Sequence, residues 1–393
     1  MVQNIYETTN FFINYFYPEL GYYIFDFMHK ISDIISIIRG SSIKKDGEIQ
    51  KEDENKIVGK EVLGEVSVPI KTLYTEYNFS YSDRYKESVW EKVQDVYGKY
   101  LADGSMGDIS VMRVCMKHID QYLANFSFQT SCSSVPYFFD YRSSDEKIKR
   151  WYLNFADPIL FVASRGGLFA QDEIQTLEHP LLCAVKAYLA ITNIKGLESY
   201  TKVGNIPTPY LFKNVPYLVE IDTQPIVDGK KVSIYGNAFS YYEYNDPEVL
   251  KRAIKVRKNC SFSNIIAMAA PSPKYGCYDK DTILEMFASV VSAFEGAKCM
   301  SENKAVEIHT GRWGAGAFGG NEELALIVQI LGARIAKIDN LVFHAITDKY
   351  LVNATIVVND IAKLYNENKR ECVDGIVNYL FDKKYQWGVS DGN

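Results

Sequence analysis

"HTGRWGAGAFGGNEE", residues 309–323, packs five glycines into the ten positions 311–320 around a tryptophan and a phenylalanine. It then runs directly into the apolar, helix-patterned stretch "NEELALIVQILGARIAKI". The β-rich segment "KAVEIHTG" leads into the loop, and another, "NLVFHAITD", follows the helix. A strand ending at His309, a glycine loop, a helix from about Glu322 and a further strand predict a layered α/β unit. Such a strand-to-helix turn offers unpaired main-chain N–H groups and a positive helix end to an anion, and glycine lets the backbone come close. No Gly-Lys-Ser/Thr follows the loop, and it is not GxGxxG with an acidic residue beyond the next strand. From the residues alone two readings stand, an anion cradle and a tight structural turn. Trp313 and Phe318 fit either, as walls of a ligand site or as anchors of the turn.

Working outward, the alternation continues. "KIKRWYLNFADPILFVAS" is strand-like, and "IQTLEHPLLCAVKAYLAI" is helical with Pro180 near its first turns. "PYLFKNVPYLVEID", "KKVSIYG" and "CSFSNIIAMAA" are β-rich, and "DKDTILEMFASVVSAFEGAK" is helical. Continuous apolar strands between helices predict an α/β/α layered mixed sheet over residues 146–393. The first third reads as a mainly helical accessory region, residues 1–145. "DRYKESVWEKVQDVYGKYL" and "MGDISVMRVCMKHIDQYLANF" carry apolar residues at helical spacing, and residues 41–60 are a charged, solvated loop after an aromatic helical hairpin.

Composition limits the partners. The 43 Lys and Arg against 49 Asp and Glu give a net charge of −6, with no basic field to gather bare nucleic acid. Seven widely spaced cysteines, odd in number and without a CxxC pair, imply reduced thiols and no structural zinc. The expected compartment is therefore a reducing one: cytoplasm, nucleus, or a host cytosol into which the chain is delivered. Asn10, Asn14, Pro18, Glu19 and Asp26 interrupt the apolar start, so neither a signal peptide nor a membrane span is expected. The 29 tyrosines fit either an AT-rich genome or a ligand surface built of flat rings.

The glycine stretch resembles the poly(ADP-ribose) glycohydrolase family, whose segment reads threonine-glycine-asparagine-tryptophan-glycine, then glycine-alanine-phenylalanine-glycine-glycine. The resemblance implies a macrodomain-like sheet on which Gly311, Arg312, Trp313, Gly314, Ala315, Gly316, Ala317, Phe318 and Gly319 cradle the diphosphate of ADP-ribose. It also predicts a second motif, and "YLNFADPILFVASRGGLFAQDEIQTLEHPLL", residues 152–182, is similar to it. Asn154, Phe155, Ala156 and Asp157 stand at its first block with acid and amide exchanged, and Gln171, Asp172 and Glu173 at its last, without a gap. Phe161, Val162 and Ala163 replace the family's triple glycine, and Gly166 and Gly167 follow a few residues later. "SIYGNAFSYYEYN", residues 233–245, resembles the segment that closes over a ribose, with Tyr242 or Tyr244 in that role. Met268, Ala269 and Ala270 replace the family's isoleucine-aspartate-alanine, and Ala345 or Ile346 stands where an aromatic near the ribose is expected.

The resemblance implies a glycosidase acting on poly(ADP-ribose) or on ADP-ribosylated protein, with no metal, no cofactor and no membrane partner. Cleavage at an anomeric carbon needs a carboxylic acid to protonate the leaving oxygen, a role that falls to Glu173, with Asp172 holding a ribose hydroxyl. Asn154, Asp157, Gln171, Gly166 and Gly167 are the remaining substrate-binding candidates. Removal of single ADP-ribose units from protein, as by a pathogen effector, and a catalytically weak ADP-ribose reader are the alternatives. The helix end favours an ionised Glu173 while burial and Asp172 oppose it, and the balance is open. So are Arg312 and Arg165, as phosphate contacts or solvated groups, and His309 and His344, as ligand neighbours or satisfied core histidines.

Overall fold

The structure, a computed structural model, describes residues 61–116, 129–142, 144, 147–368 and 373–390, within the unit Val58–Asn393. In chain order the elements begin with β1 (Glu61–Pro69), α1 (Ile70–Glu76), α2 (Arg84–Asp103), β2 (Asp108–Cys115), β3 (Ser131–Val135) and β4 (Ile148–Ala156). There follow α3 (Gln171–Glu178), α4 (Leu181–Thr192), the short β5 (Lys202–Val203) and β6 (Ile206–Pro207), and β7 (Tyr210–Ile221). Next are the short β8 (Ile226–Val227) and β9 (Lys230–Lys231), α5 (Asn237–Asn245), α6 (Pro247–Ala253) and β10 (Ile254–Ala269). The chain continues with α7 (Lys280–Met300), β11 (Ala305–Thr310), α8 (Glu322–Ile335), β12 (Asn340–His344), α9 (Asp348–Asn368) and α10 (Val373–Asp382).

One eight-stranded sheet runs β1-β2-β7-β10-β4-β11-β12-β3. The last five strands of that order are mutually parallel, and β7, β2 and β1 extend it antiparallel. Both faces are apolar, so side chains alternating along a strand feed two cores. On β4, Trp151 and Leu153 join the core beneath α7, α8, α9 and α10, while Tyr152 and Ala156 join the core beneath α1 to α6. On β10, Ile266 and Met268 go one way and Ile265 and Ala267 the other. This is the macrodomain-like α/β/α architecture. It puts the carboxyl ends of β4, β10, β11 and β12 along one rim, where open α/β sheets take ligands.

Three expectations meet different local structure. The helix expected across Pro180 is two helices, because a proline has no N–H to give and its ring crowds the preceding turn: α3 closes on His179, and Pro180 precedes the first residue of α4. The stretch 106–126, expected as helix, forms strand β2 over Asp108–Cys115, which pairs with both β1 and β7. A strand covered on both faces has a continuous apolar run and cannot be told from a buried helix by periodicity. The expected boundary at 145/146 falls between β3 and β4, two strands of the same sheet. The N-terminal hairpin and the loop 41–60 lie outside the described residues.

Candidate active site

The carboxyl ends of β4, β11 and β12 open into a cavity of about 520 Å³ whose wall combines the start of α3 with the glycine loop. Asp157, Gln171, Asp172 and Glu173 line one side, and Gly311, Arg312, Trp313, Gly314, Gly316, Ala317 and Phe318 the other. The two stretches are thus brought to one site although more than a hundred residues separate them.

Gln171 fixes the acidic end in place. Its side-chain Oε1 accepts the Phe155 N–H at 2.7 Å and its Nε2 donates to the Leu153 carbonyl at 3.0 Å. The amide thus completes β4 like another strand and pins the first turn of α3 to the strand end. Asn154, fully buried behind the wall, donates from Nδ2 to Asp172 Oδ1 at 2.9 Å. Glu173 Oε2 accepts the Ala170 N–H at 3.1 Å, the reach-back of a capping glutamate at the third helical position. Asp157 Oδ1 accepts the Ile159 N–H at 3.0 Å, starting the turn that leaves β4.

Both acids are buried, with 6% and 4% of Asp172 and Glu173 exposed. Burial, then the neighbouring Glu173 charge, raises the Asp172 carboxyl well above the usual range, against the opposing Asn154 hydrogen bond. Burial also raises Glu173, while its own N–H, Lys86 and the Ala170 N–H pull it down. At this helix end burial outweighs the dipole, so the site holds a carboxylic acid able to donate a proton.

The altered loop between β4 and α3 keeps the backbone that glycines would supply. Phe161 sits at φ +50° with its ring fully buried, 5.5 Å from the Phe212 ring centroid and outside the cavity. Val162 and Ala163 line the cavity. The buried Lys86 and the half-buried Lys186 hold the loop by its carbonyls: Lys186 Nζ donates to Phe161 O at 2.9 Å, and Lys86 Nζ to Leu168 O at 2.6 Å and Ser164 O at 3.4 Å. Gly166 and Gly167 lie outside the cavity wall, where the neighbouring Arg165 carbonyl accepts the N–H groups of Ser82 and Asp83. Arg165 itself donates from Nε to the Ser80 carbonyl at 2.6 Å.

In the glycine loop the main chain does the work. A Cβ on Gly320 would stand 2.4 Å from the Gly314 carbonyl oxygen, the acceptor of the Gly320 N–H. The main-chain N–H groups of Gly316, Ala317 and Phe318 donate to no partner among the described residues, and all three residues line the cavity. Trp313 is an anchor, 1% exposed, with Nε1 donating to the Met268 carbonyl at 3.1 Å. Ala315 is buried, and Gly319 packs on Val389 and Ser390 instead of lining the cavity. The Arg312 side chain folds back, Nε to Glu322 Oε2 at 3.1 Å and a terminal nitrogen to the Ala315 carbonyl at 3.3 Å, which offsets an acid at the start of α8.

Tyr242 and Tyr244 do not reach the cavity; Tyr244 is 75% exposed on α5. Tyr235, two residues into the same quoted segment, does, and its hydroxyl accepts the Gln171 N–H at 3.2 Å. Its ring stacks on Phe138, centroids 6.1 Å apart, and Phe138 and Phe139 close the wall beside His344. The aromatic run "YFFDY", residues 137–141, was the available sequence signal for that pair. Ala345 also lines the cavity, at φ +54°.

Residues 227–353 match the family model "Poly (ADP-ribose) glycohydrolase (PARG), Macro domain fold". Among solved structures, poly(ADP-ribose) glycohydrolase from Thermomonospora curvata is similar at 10% identity and a TM-score of 0.41, covering 70% of this chain and 98% of that one. Its form bound to the inhibitor ADP-HPD gives the same identity and score with 99% of that chain covered. The Deinococcus radiodurans enzyme in complex with ADP-ribose is similar at 13% identity and a TM-score of 0.35, covering 60% of this chain and 87% of that one. No curated protein matches the sequence significantly. Residues 227–353 are thus the part of this chain that is similar to the poly(ADP-ribose) glycohydrolase family.

Proposed function

We propose that the protein hydrolyses the glycosidic linkage of ADP-ribose, releasing it from polymer or from ADP-ribosylated protein, with Glu173 as the acid and then the base. The observation that carries this reading is the shared cavity: Asp172 and Glu173 line the same space as Gly316, Ala317 and Phe318, whose main-chain N–H groups have no partner among the described residues. A diphosphate held on that loop extends its ribose toward α3. There the protonated Glu173 gives its proton to the leaving oxygen as the anomeric carbon gains oxocarbenium character, and the resulting carboxylate takes a proton from the attacking water. Asp172, steadied by Asn154, takes a ribose hydroxyl. The loop N–H groups and the Arg312 backbone hold the phosphates. An ADP-ribose reader is the second reading, favoured by Glu173 spending one carboxylate oxygen on the Ala170 N–H.

The test incubates wild type and Glu173→Gln with labelled ADP-ribose polymer and with mono-ADP-ribosylated protein, and measures release. Wild type is expected to release ADP-ribose from one of them, and the variant to lose on the order of 10²–10⁴ in rate while binding free ADP-ribose within a few-fold. Wild-type binding without release from either substrate would leave the reader.

A further inference from the structure

Beside the glycine loop a chain of polar groups runs through the sheet and ends at the cavity. Arg150 Nε lies 2.9 Å from Glu307 Oε1, and His309 Nε2 lies 3.1 Å from the same oxygen. His309 Nδ1 is 2.8 Å from His344 Nε2, and His344 Nδ1 is 3.0 Å from the Tyr137 carbonyl oxygen. His309 is fully buried with its ring stacked on Tyr152, and His344 lines the cavity with 4% of its surface exposed. A Cβ on Gly311 would stand 3.0 Å from the His344 carbonyl, so this histidine adjoins the first residue of the loop. The acid chemistry at α3 makes no use of these groups.

The hydrogens can be counted from the partners. A carbonyl oxygen only accepts, so His344 Nδ1 carries a hydrogen. Glu307, bonded to a guanidinium, is a carboxylate and only accepts, so His309 Nε2 carries a second. Two ring nitrogens 2.8 Å apart cannot both present lone pairs, so a third lies between them. Two neutral imidazoles hold two such hydrogens. We infer that His309 and His344 together hold one extra proton, and that this buried cation is a recognition group for the anionic part of the ligand.

The charges around the pair sharpen the point. Arg150 with Tyr152 faces it from β4, Glu307 from β11, and Tyr137, Asp140 and Arg142 from the segment before β4. Arg150 is paired with Glu307 and Arg142 with Asp140, so the pair's own charge is left over. Burial and His309 hold His344 down to about 4, and the hydrogen bond from His309 holds Glu307 down to about 2. The hydrogen-bonded pair thus bridges the Glu307 carboxylate and the ring that lines the cavity. The recognition role rests on the ADP-ribose reading; the proton count does not.

The two parts separate experimentally. Nitrogen-15 NMR of histidine-labelled, ligand-free protein counts ring hydrogens, and of the five histidines the pair is identified by the signals lost in His344→Phe. One imidazolium and one neutral ring are expected at neutral pH; two neutral rings would overturn the inference. For recognition, ADP-ribose and phosphate-free adenosine are titrated calorimetrically into wild type, His344→Phe and His344→Gln, the last keeping a donor for the Tyr137 carbonyl should the first not fold. ADP-ribose is expected to weaken about tenfold, as for a lost charge-assisted contact, with adenosine unchanged. Equal losses for both ligands, or none, would remove the recognition role. Failure of wild type to bind either ligand would sink the ADP-ribose reading and that role together, while the proton count stands on the NMR alone.

Discussion

Loop 311–320 meets the cavity with its main chain, whereas loop 157–170 meets it with side chains, though the family uses glycine in both. In the first, glycine is compelled by what surrounds the Cβ position, since the one on Gly320 would fall 2.4 Å from a backbone oxygen and the one on Gly314 2.7 Å from Ala270 Cβ. In the second, Phe161 takes φ +50° itself and sends its ring into the core, and lysine ammonium groups satisfy the carbonyls that the turn exposes. A left-handed backbone costs a non-glycine residue about 1–2 kcal/mol, which burial of an aromatic ring offsets. A collision with another main chain has no such remedy. A conserved-looking glycine motif is therefore two different demands, one of which a bulky residue can meet.

Five substitutions test this contrast. Phe161→Ala should cost about 3–5 kcal/mol in chemical denaturation while leaving the ADP-ribose affinity of the folded protein within about threefold. A binding loss at unchanged stability would put the ring in the site and end the distinction. Gly320→Ala should do the reverse, lowering affinity by more than about tenfold for a stability cost of about 1–3 kcal/mol, and Ala163→Gly should be tolerated in both respects. Wild-type-like binding by Gly320→Ala would mean that the loop relaxes freely and that its glycines are not compelled.

The acidic end supplies a pH signature that the glycine loop lacks. The Asp172 carboxyl is raised in the fold, so the folded state holds its proton at pH values where the unfolded chain has released it. Stability is thus present in full below the unfolded carboxylate range and falls as pH rises through neutrality. The melting temperature should drop by at least about 2–4 °C between acidic and mildly alkaline buffer, and Asp172→Asn should flatten that slope. A slope unchanged in the variant would assign the effect to Glu173 or elsewhere. The smallest effect belongs to the tethers. Lys186→Met replaces a half-buried cation with an apolar chain of similar length, so global stability should move by about 1 kcal/mol or less. Hydrogen exchange in residues 161–168 should rise nonetheless, and an unchanged exchange pattern would show that the lysine does not hold the loop.

How far the sequence carried varied by element. The helix from Glu322, the helix 280–300 and the strands around the glycine loop were legible because long periodic segments and an asparagine cap at Asn321 signal themselves locally. Strand β2 was not, since its apolar run answers to neighbours on both faces. Asp172 and Glu173 were legible as a pair through the family motif. Tyr235 was displaced by Tyr242 and Tyr244 in the same segment, because only packing decides which ring of a tyrosine-rich stretch reaches the cavity.

Local spacing and residue type carried the α/β alternation, the resemblance to the glycohydrolase family, the glycine loop and the acidic first turn of α3. Tertiary structure alone decided that these two stretches share a cavity and that burial outweighs the helix end at Glu173. It also decided that Phe161 turns to the core, and that His309 and His344 meet with three hydrogens between their partners. Those outcomes depend on distances between groups far apart in the chain, and on how much water the fold removes from around each of them.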